Sequence, residues 1–192
     1  MSGDIPLGPG GEFDLVRALV ARFGSMAQGI GDDAGVVKVP AGETLLISTD
    51  VAVEGVHFRR GWMTPAEIGY RAATAALSDL AAMAATPRSI VVALTLPASW
   101  RPDAEAIAGG LAGAAERCGA FIVGGDVSDG PALSLAVTVV GSSLAPLSRT
   151  GARPGDAIWV TGALGGPCLA LRAFESGSAP SPAARERFAS PH

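Results

Sequence analysis

Hydrophobic side chains recur along the chain at two spacings, which predict helices that alternate with strands. Residues 12–23 carry apolar side chains three or four positions apart, so we predict an amphipathic helix that Gly24 ends. Thr64-Pro65-Ala66-Glu67 has the form of a capping box with proline in the first turn, and it predicts a helix from there to about Ala85. Two further helices are predicted at Arg101–Cys118 and Cys168–Glu175.

Short apolar runs bounded by glycine, proline and polar residues predict strands between these helices. The turn Pro40-Ala41-Gly42 joins the first two of them. Interleaved helices and strands predict an α+β fold with α/β-type layers, in which helices pack on a mixed β-sheet. The predicted strands are Val36–Val39, Thr44–Thr49, Ser89–Leu96, Phe121–Val123, Leu133–Gly141 and Ala157–Thr161.

The end of the chain differs in composition from the rest. Residues 177–192 are rich in Ser, Ala and Pro and show no pattern that predicts a core-facing element. We therefore expect this segment to be a linker or a ragged end.

Composition and charge narrow the class of protein. With 192 residues, 48% of them hydrophobic and 17% charged, the chain is long enough for a globular domain with an ample core. A net charge of −4 without a cluster of basic residues argues against nucleic acid as a partner.

The N-terminus lacks the pattern of a secretory signal and no apolar run reaches the length of a membrane span, so we expect a cytoplasmic protein and no membrane partner. The wide spacing of Cys118 and Cys168 predicts two reduced thiols in the core.

Four short acidic motifs carry the candidate chemistry. Each lies beside an apolar segment, the chain has a single lysine, Lys38, and no Arg or Lys lies within four residues of Asp50 or Asp79, so little basic charge is near these carboxylates. Hard cations such as Mg²⁺ bind carboxylate and hydroxyl oxygens, often together with substrate phosphates. The hypothesis is a Mg-nucleotide site that uses no P-loop. The motifs are Gly29-Ile30-Gly31-Asp32-Asp33, Ser48-Thr49-Asp50, Leu77-Ser78-Asp79 and Gly124-Gly125-Asp126.

Each motif also has a structural interpretation. A solvated acidic turn is the alternative for the first motif, and a plain β-turn is the alternative for Gly124-Gly125-Asp126. Strand alternation puts Ser48 and Asp50 on one face, which suits metal binding and also strand-end hydrogen bonding. Asp79 has Ala75 and Met83 as its i±4 neighbours, so it either binds a cation or faces solvent.

His57 and Arg149 are candidates for contact with phosphate groups. A packed histidine and an exposed loop arginine are the respective alternatives. Other chemistries lack their motifs: there is no Walker A sequence and no G-x-S-x-G elbow, and His57 and His192 have no zinc-type partners at suitable spacing.

Taken in order, the motifs resemble the thiamine-monophosphate kinase family, within the group related to aminoimidazole ribonucleotide synthetase. The stretch Val53-Glu54-Gly55-Val56-His57-Phe58 distinguishes that family from its relatives. The resemblance implies the N-terminal domain of the aminoimidazole ribonucleotide synthetase-like fold, transfer of the ATP γ-phosphoryl group to thiamine phosphate, several Mg²⁺ ions and a homodimer. The segments that carry it also include Leu77–Met83, Gly124-Gly125-Asp126, Arg149–Asp156 and Val160-Thr161-Gly162.

The resemblance also implies roles for individual residues. His57 would contact thiamine phosphate. The Mg²⁺ ligands would be Asp33, Ser48, Thr49, Asp50, Asp79 and Asp126. The contacts to ATP would come from Asp32, Gly125, Asp126 and Arg149.

The chain departs from the family pattern at several positions. Ala76 replaces the asparagine usual before Leu-Ser-Asp, Ala84 replaces a glycine, and Val127-Ser128 replaces Thr-Thr. The resemblance covers only about the first half of the family pattern. We therefore expect an N-terminal Mg-ATP-binding and dimerisation domain at residues 1–162, and the start of a truncated second domain or a linker at residues 163–192.

Two other functions stay open on the sequence alone. One is a related enzyme that phosphorylates a different small molecule, which the Val53–Phe58 stretch argues against. The other is a non-catalytic module that binds nucleotide or dimerises.

Overall fold

The structure, a computed structural model, describes residues 10–191 apart from the side chain of Glu12. It divides into two compact units, of which the first extends to Pro146 and the second begins at Leu147. The domain boundary predicted at residue 162 thus lies inside the second unit, and as a functional boundary it stays a prediction.

The described part of the first unit contains three helices and four strands, with two short 3₁₀ turns at Gly24–Met26 and Ala98–Asp103. The capping box is present as predicted: Thr64 accepts from the amide of Glu67, and the Glu67 carboxylate accepts from the amide of Thr64. Gly119 ends the third helix in the left-handed conformation that glycine favours. The helices are α1 (Gly11–Phe23), α2 (Pro65–Ala82) and α3 (Ala104–Cys118), and the strands are β1 (Thr44–Val53), β2 (Thr86–Thr95), β3 (Phe121–Ser128) and β4 (Ser134–Ser143).

The four strands form one mixed sheet in the order β1-β4-β2-β3. The β1–β4 and β4–β2 pairs are antiparallel, whereas β2 and β3 are parallel. The predicted fold class, a mixed sheet packed by helices, is confirmed. This order places β1 and β3 at the two edges of the sheet, which determines where the acidic motifs lie.

Helices α2 and α3 pack on each other, and α2 covers one face of β1 and β4. The inward side chains of β4, Leu135, Val137 and Val139, are fully buried there. The two helices approach very closely, because a Cβ added to Gly110 would lie 1.9 Å from the carbonyl oxygen of Ala66. Only glycine fits at that position, so the small residues of these helices set their separation.

The other face of the sheet is open within the first unit. Alternate residues of β1 point to it, and Leu45, Ile47 and Val51 are 47%, 63% and 40% exposed. On the same face, the hydroxyls of Thr49 and Thr138 form a cross-strand hydrogen bond of 2.9 Å. An apolar sheet face of this kind is unusual for a surface that stays in contact with water.

The second unit contains two helices, α4 (Gly166–Glu175) and α5 (Pro182–Ala189). Helix α4 confirms the prediction for that region, but α5 corrects the expectation that residues 177–192 hold no packed element. Ser181 caps α5 by accepting from the amide of Ala184, and the ring of Phe188 packs on that of Phe174 at 5.4 Å. Ser181-Pro182 is a typical helix start, but the polar composition of the surrounding residues did not indicate a helix with a buried face.

Two predicted strands are wrong, because neither segment has a partner strand among the described residues. Residues 157–161 form no strand, and Ile158 and Trp159 are 94% and 90% exposed. Residues 36–39 also form none, although their apolar pattern resembles that of β1. An apolar run becomes a strand only when a neighbour takes up its backbone hydrogen bonds.

Two smaller expectations also need correction. The two cysteines are free, but Cys118 and Cys168 are exposed rather than in the core. Helix α2 ends at Ala82, and Ala84 adopts a φ of 52°, the one positive φ at a non-glycine residue in the described part of the chain. A left-handed alanine costs about 1 kcal/mol, which gives a physical reason for the glycine usual there.

Within residues 10–191, no helix has the length and hydropathy needed to cross a bilayer.

Candidate functional site

The first part of the candidate site lies between β1 and α2. Ser48 points from β1 towards the last turn of α2, where its hydroxyl donates to the Asp79 carboxylate over 2.5 Å. Asp79 is exposed and Ser48 is half-buried. The fold thus joins two motifs that are 31 residues apart in sequence. The carboxylate faces solvent, as one of the two interpretations of Asp79 predicted, and cation binding by Asp79 stays a prediction.

Asp50 lies on the same face of β1 as Ser48, as strand alternation predicted. One oxygen of its carboxylate accepts from the amide of Val51 over 2.8 Å. Asp50 also lines a small pocket of about 90 Å³ together with residues of α2 and with His57. Thr49 points to the opposite, open face of the sheet, where its hydroxyl bonds to Thr138. The ligand role that the resemblance implies for Thr49, through its hydroxyl or its carbonyl oxygen, stays a prediction.

His57 lies on a tight turn that follows β1. Its Nδ1 accepts from the amide of Val53 over 3.1 Å, and its own amide donates to the carbonyl of Val53 over 2.8 Å. Gly55, with a φ of 82°, lets the chain reverse and donates to the carbonyl of Phe58. Because Nδ1 is an acceptor, the neutral imidazole carries its proton on Nε2, which makes Nε2 the donor of the ring.

Glu54 and Trp100 hold this turn in place. No local pattern in the sequence indicates this role for either residue. The Glu54 carboxylate accepts from the indole of Trp100 over 2.8 Å and from the amide of Leu133. The ring of Phe58 meets that of Trp100 edge-on at 6.4 Å. These contacts hold the Val53–Phe58 stretch in one conformation, and the carboxylate of Glu54 accepts both hydrogen bonds. Only the tertiary contacts reveal this role, since Trp100 lies 46 residues further along the chain.

The second part of the candidate site lies at the other edge of the sheet, where the acidic loop contacts β3. The amide of Gln28 donates to the carbonyl of Ile122 over 2.9 Å. Gly35 packs so closely on Val123 that a Cβ there would lie 2.8 Å from that side chain. Asp32 and Asp33, between these two anchors, are exposed, and the Asp32 carboxylate accepts from the amide of Asp33.

Gly124, Gly125 and Asp126 belong to β3 itself, so the alternative of a plain β-turn is wrong. A Cβ on Gly125 would lie 2.3 Å from the carbonyl oxygen of Val92, whereas one on Gly124 would meet nothing within 4 Å. Gly125 is thus required for packing against β2, and Gly124 is the glycine that leaves space for a ligand. Asp126 is exposed and borders an apolar pocket of about 230 Å³ between α1, α3 and the sheet.

The two parts of the site are separated within one chain. Because β1 and β3 are the edge strands, Asp50 and Asp126 are three interstrand spacings apart, roughly 14 Å. In the described part of the chain, no three His, Cys, Asp or Glu side chains are grouped closely enough to hold an ion. The candidate ligands are nonetheless carboxylate, hydroxyl and carbonyl oxygens near solvent, which is the donor chemistry of Mg²⁺. Arg149 belongs to the second unit, where it is exposed.

A mixed sheet with helices on one face and acidic residues at both edges defines the class of domain to which this chain belongs. Residues 31–143 match the family described as AIR synthase related protein, N-terminal domain. The chain belongs to this family.

Individual relatives narrow the comparison further. The chain is 41% identical over 167 residues to the thiamine-monophosphate kinase of Rhodopirellula baltica, covering 80% of this chain and 52% of that protein. The crystal structure of thiamine-monophosphate kinase from Stenotrophomonas maltophilia K279a matches with a TM-score of 0.79 at 35% identity, over 91% of this chain and 60% of that one. AaThiL complexed with AMPPCP and TMP matches with a TM-score of 0.74 at 30% identity, over 94% and 59%. The chain spans about half the length of the curated relatives that it matches.

Proposed function

We propose that this chain is the nucleotide-binding part of a thiamine-monophosphate kinase, which transfers the γ-phosphoryl group of ATP to thiamine phosphate and forms thiamine diphosphate. The observation that carries the proposal is the Ser48–Asp79 contact, because it brings two separate acidic motifs together on the face of β1 that also carries Asp50. The names of the relatives and the AMPPCP and TMP of the AaThiL complex support the same conclusion.

Mg²⁺ would be held by oxygens from both edges of the sheet. Ser48, Asp50 and Asp79 supply them at the β1 edge, with the carbonyl of Thr49, and Asp33 and Asp126 supply them beside β3. When bound, Mg²⁺ would neutralise phosphate charge during the transfer. Without a cation, the exposed carboxylates would repel ATP.

The remaining contacts would position the two substrates. Gly124 leaves space beside the backbone of β3, where Gly125 would contact the nucleotide together with the exposed Asp32 and Asp126. Arg149 would contribute a guanidinium group to the nucleotide. His57, on its braced turn, would donate from Nε2 to the phosphate of thiamine phosphate. Placing two anions end to end is the main task of such an enzyme, so no covalent nucleophile is needed.

We also propose that the protein is a homodimer that buries the open face of its sheet. The exposed side chains of Leu45, Ile47 and Val51 on β1 support this arrangement.

Ile47→Asp is expected to convert the dimer into a monomer, because it puts a charge at the centre of the apolar face. Sedimentation equilibrium measures the mass of both variants. Lys38→Asp, in an exposed segment outside the sheet, is the control for added negative charge and should remain dimeric. A wild-type chain that is monomeric at micromolar concentration would contradict the proposal.

The proposed activity is tested by following thiamine diphosphate formation from thiamine phosphate and Mg-ATP, with calorimetry of Mg-ATP binding by the same preparation. We expect Mg-ATP to bind and the binding to be lost in excess EDTA. Product that depends on Mg²⁺ and on the phosphate of the acceptor would establish the kinase. Mg-ATP binding without turnover would favour the non-catalytic module, and a folded chain that does neither would refute the proposal.

A further inference from the structure

Trp100 contacts three residues of the segment that carries His57. Its indole N–H donates to the Glu54 carboxylate, the ring of Phe58 meets its ring edge-on, and the guanidinium of Arg60 lies over its face, 4.0 Å from the ring centroid. Trp100 itself is buried, with 2% of its surface exposed. A buried indole with partners on its N–H and on its ring has little freedom to move. Both ends of the turn that carries His57 are therefore held against one side chain.

Arg60 makes polar contacts that fix its guanidinium over this ring. Its Nη2 donates to the carbonyl of Ser99 over 3.0 Å and to the Asp103 carboxylate over 2.5 Å. The Arg60 side chain is 48% exposed, so this ion pair by itself contributes little to the stability of the fold. Both partners belong to the 3₁₀ turn Ala98–Asp103, which leads into α3. Arg60 thus connects the chain just beyond the turn after β1 to the start of a core helix.

The protonated nitrogen of His57 depends on the conformation of this turn. Nδ1 of His57 accepts from the amide of Val53 over 3.1 Å. That distance is near the long end of the range for N–H hydrogen bonds, so a small movement of the turn would break the contact. Without it, a neutral imidazole can carry its proton on either nitrogen, and Nε2 is no longer a fixed donor.

We propose that Arg60 is a positioning residue, which holds the turn after β1 in the conformation that keeps Nε2 of His57 protonated. Arg60 acts through Trp100 and Glu54 rather than by contact with a substrate. The inference rests on the proposed function as far as it concerns thiamine phosphate. The protonation of the His57 ring is a property of the free protein, so it is measured independently of that function.

The first measurement is ¹⁵N NMR of the imidazole in the full 192-residue chain at about pH 8, where an ordinary histidine is neutral. The chain has two histidines, and His57→Gln identifies the signals of His57. The wild type should carry the proton on Nε2. Arg60→Met should raise the form protonated on Nδ1 to at least about a tenth of the population, because the cation over the indole is lost. Arg60→Lys keeps that cation and should lie between the two, and Asp103→Asn, which removes the ion pair, should shift the population in the same direction as Arg60→Met.

The second measurement is the affinity for thiamine phosphate, by calorimetry in the presence of Mg²⁺. Arg60→Met should weaken it by about 3- to 10-fold and leave the binding of Mg-ATP unchanged. The midpoint of thermal unfolding should move by less than about 4 °C, because an exposed ion pair adds little to stability. Arg59→Met is the matched control. Arg59 lies over a different ring, that of Trp62, at 5.2 Å from its centroid, and its substitution should preserve both the protonation of His57 and the affinity.

Unchanged protonation of His57 in Arg60→Met would overturn the proposal, and so would an equal change in Arg59→Met. An Arg60→Lys variant with the full loss seen in Arg60→Met would also contradict it, because the cation would then make no difference. Asp103→Asn decides the matter if Arg60→Met does not fold, since wild-type protonation in that variant would exclude the role of the ion pair. Altered protonation in a chain that binds neither thiamine phosphate nor Mg-ATP would keep the positioning role and refute the kinase proposal. Thiamine phosphate binding that His57→Gln weakens and Arg60→Met leaves unchanged would do the reverse.

Discussion

Asp79→Asn is expected to weaken Mg²⁺-dependent ATP binding by at least about 100-fold while the fold stays intact. The substitution removes a negative charge at the junction of β1 and α2 but keeps the shape of the side chain. The hydroxyl of Ser48 can still donate to the amide oxygen, so the hydrogen bond that joins strand and helix survives. Asp50→Asn should have a similar effect. Titration calorimetry of ATP in the presence of Mg²⁺ gives the affinity, and thermal unfolding shows that the variants are folded.

Asp129→Asn is the control for this experiment. Asp129 is exposed in the loop between β3 and β4, and it has no place in the proposed ligand set. Its substitution removes the same charge and should leave the affinity for ATP unchanged. Wild-type affinity in both Asp79→Asn and Asp50→Asn would refute the metal assignment. Tight binding of ATP in excess EDTA would refute the dependence on Mg²⁺.

Gly110→Ala is expected to destabilise the first unit by about 3 kcal/mol or more, or to prevent folding. The added Cβ would lie 1.9 Å from the carbonyl oxygen of Ala66 and 2.7 Å from the amide nitrogen of Tyr70. Both are backbone atoms of α2, so relief requires the helices to separate. Separation would loosen the packing of α2 on β1 and with it the Ser48–Asp79 contact. Denaturant unfolding followed by circular dichroism measures the change in free energy.

Gly113→Ala provides the matched comparison on the same helix. A Cβ there would meet only the ring of Tyr70, at 3.9 Å, which is ordinary contact. Alanine has a higher helix propensity than glycine, so this variant should be neutral or more stable by up to about 1 kcal/mol. Equal destabilisation by the two substitutions would mean that helix separation does not limit stability here.

The sequence predicted elements well where local chemistry defines them. The capping box at Thr64 and Glu67 and the glycine at position 119 determine their helix ends from within a few residues, and both are found as predicted. Prediction failed where the outcome depends on a distant partner. Residues 36–39 and 157–161 have strand-like patterns without a neighbouring strand, while α5 is stabilised by the contact of Phe188 with Phe174.

The candidate site shows the same division. Alternation along β1 was enough to place Ser48 and Asp50 on one face, and the absence of Arg and Lys within four residues of Asp50 and Asp79 was enough to suggest a cation. No local pattern indicates that Glu54 holds the turn of His57 in place, because its partner Trp100 is on another element.

The sequence by itself determined the helices with strong end signals, the alternating faces of the strands and the identity of the acidic motifs, because these depend on neighbours within a few residues. The tertiary structure decided the strand order. That order puts Asp50 and Asp126 at opposite edges of one sheet and leaves an apolar face open. Strand order depends on which backbones exchange hydrogen bonds across the sheet, and no local pattern specifies that choice.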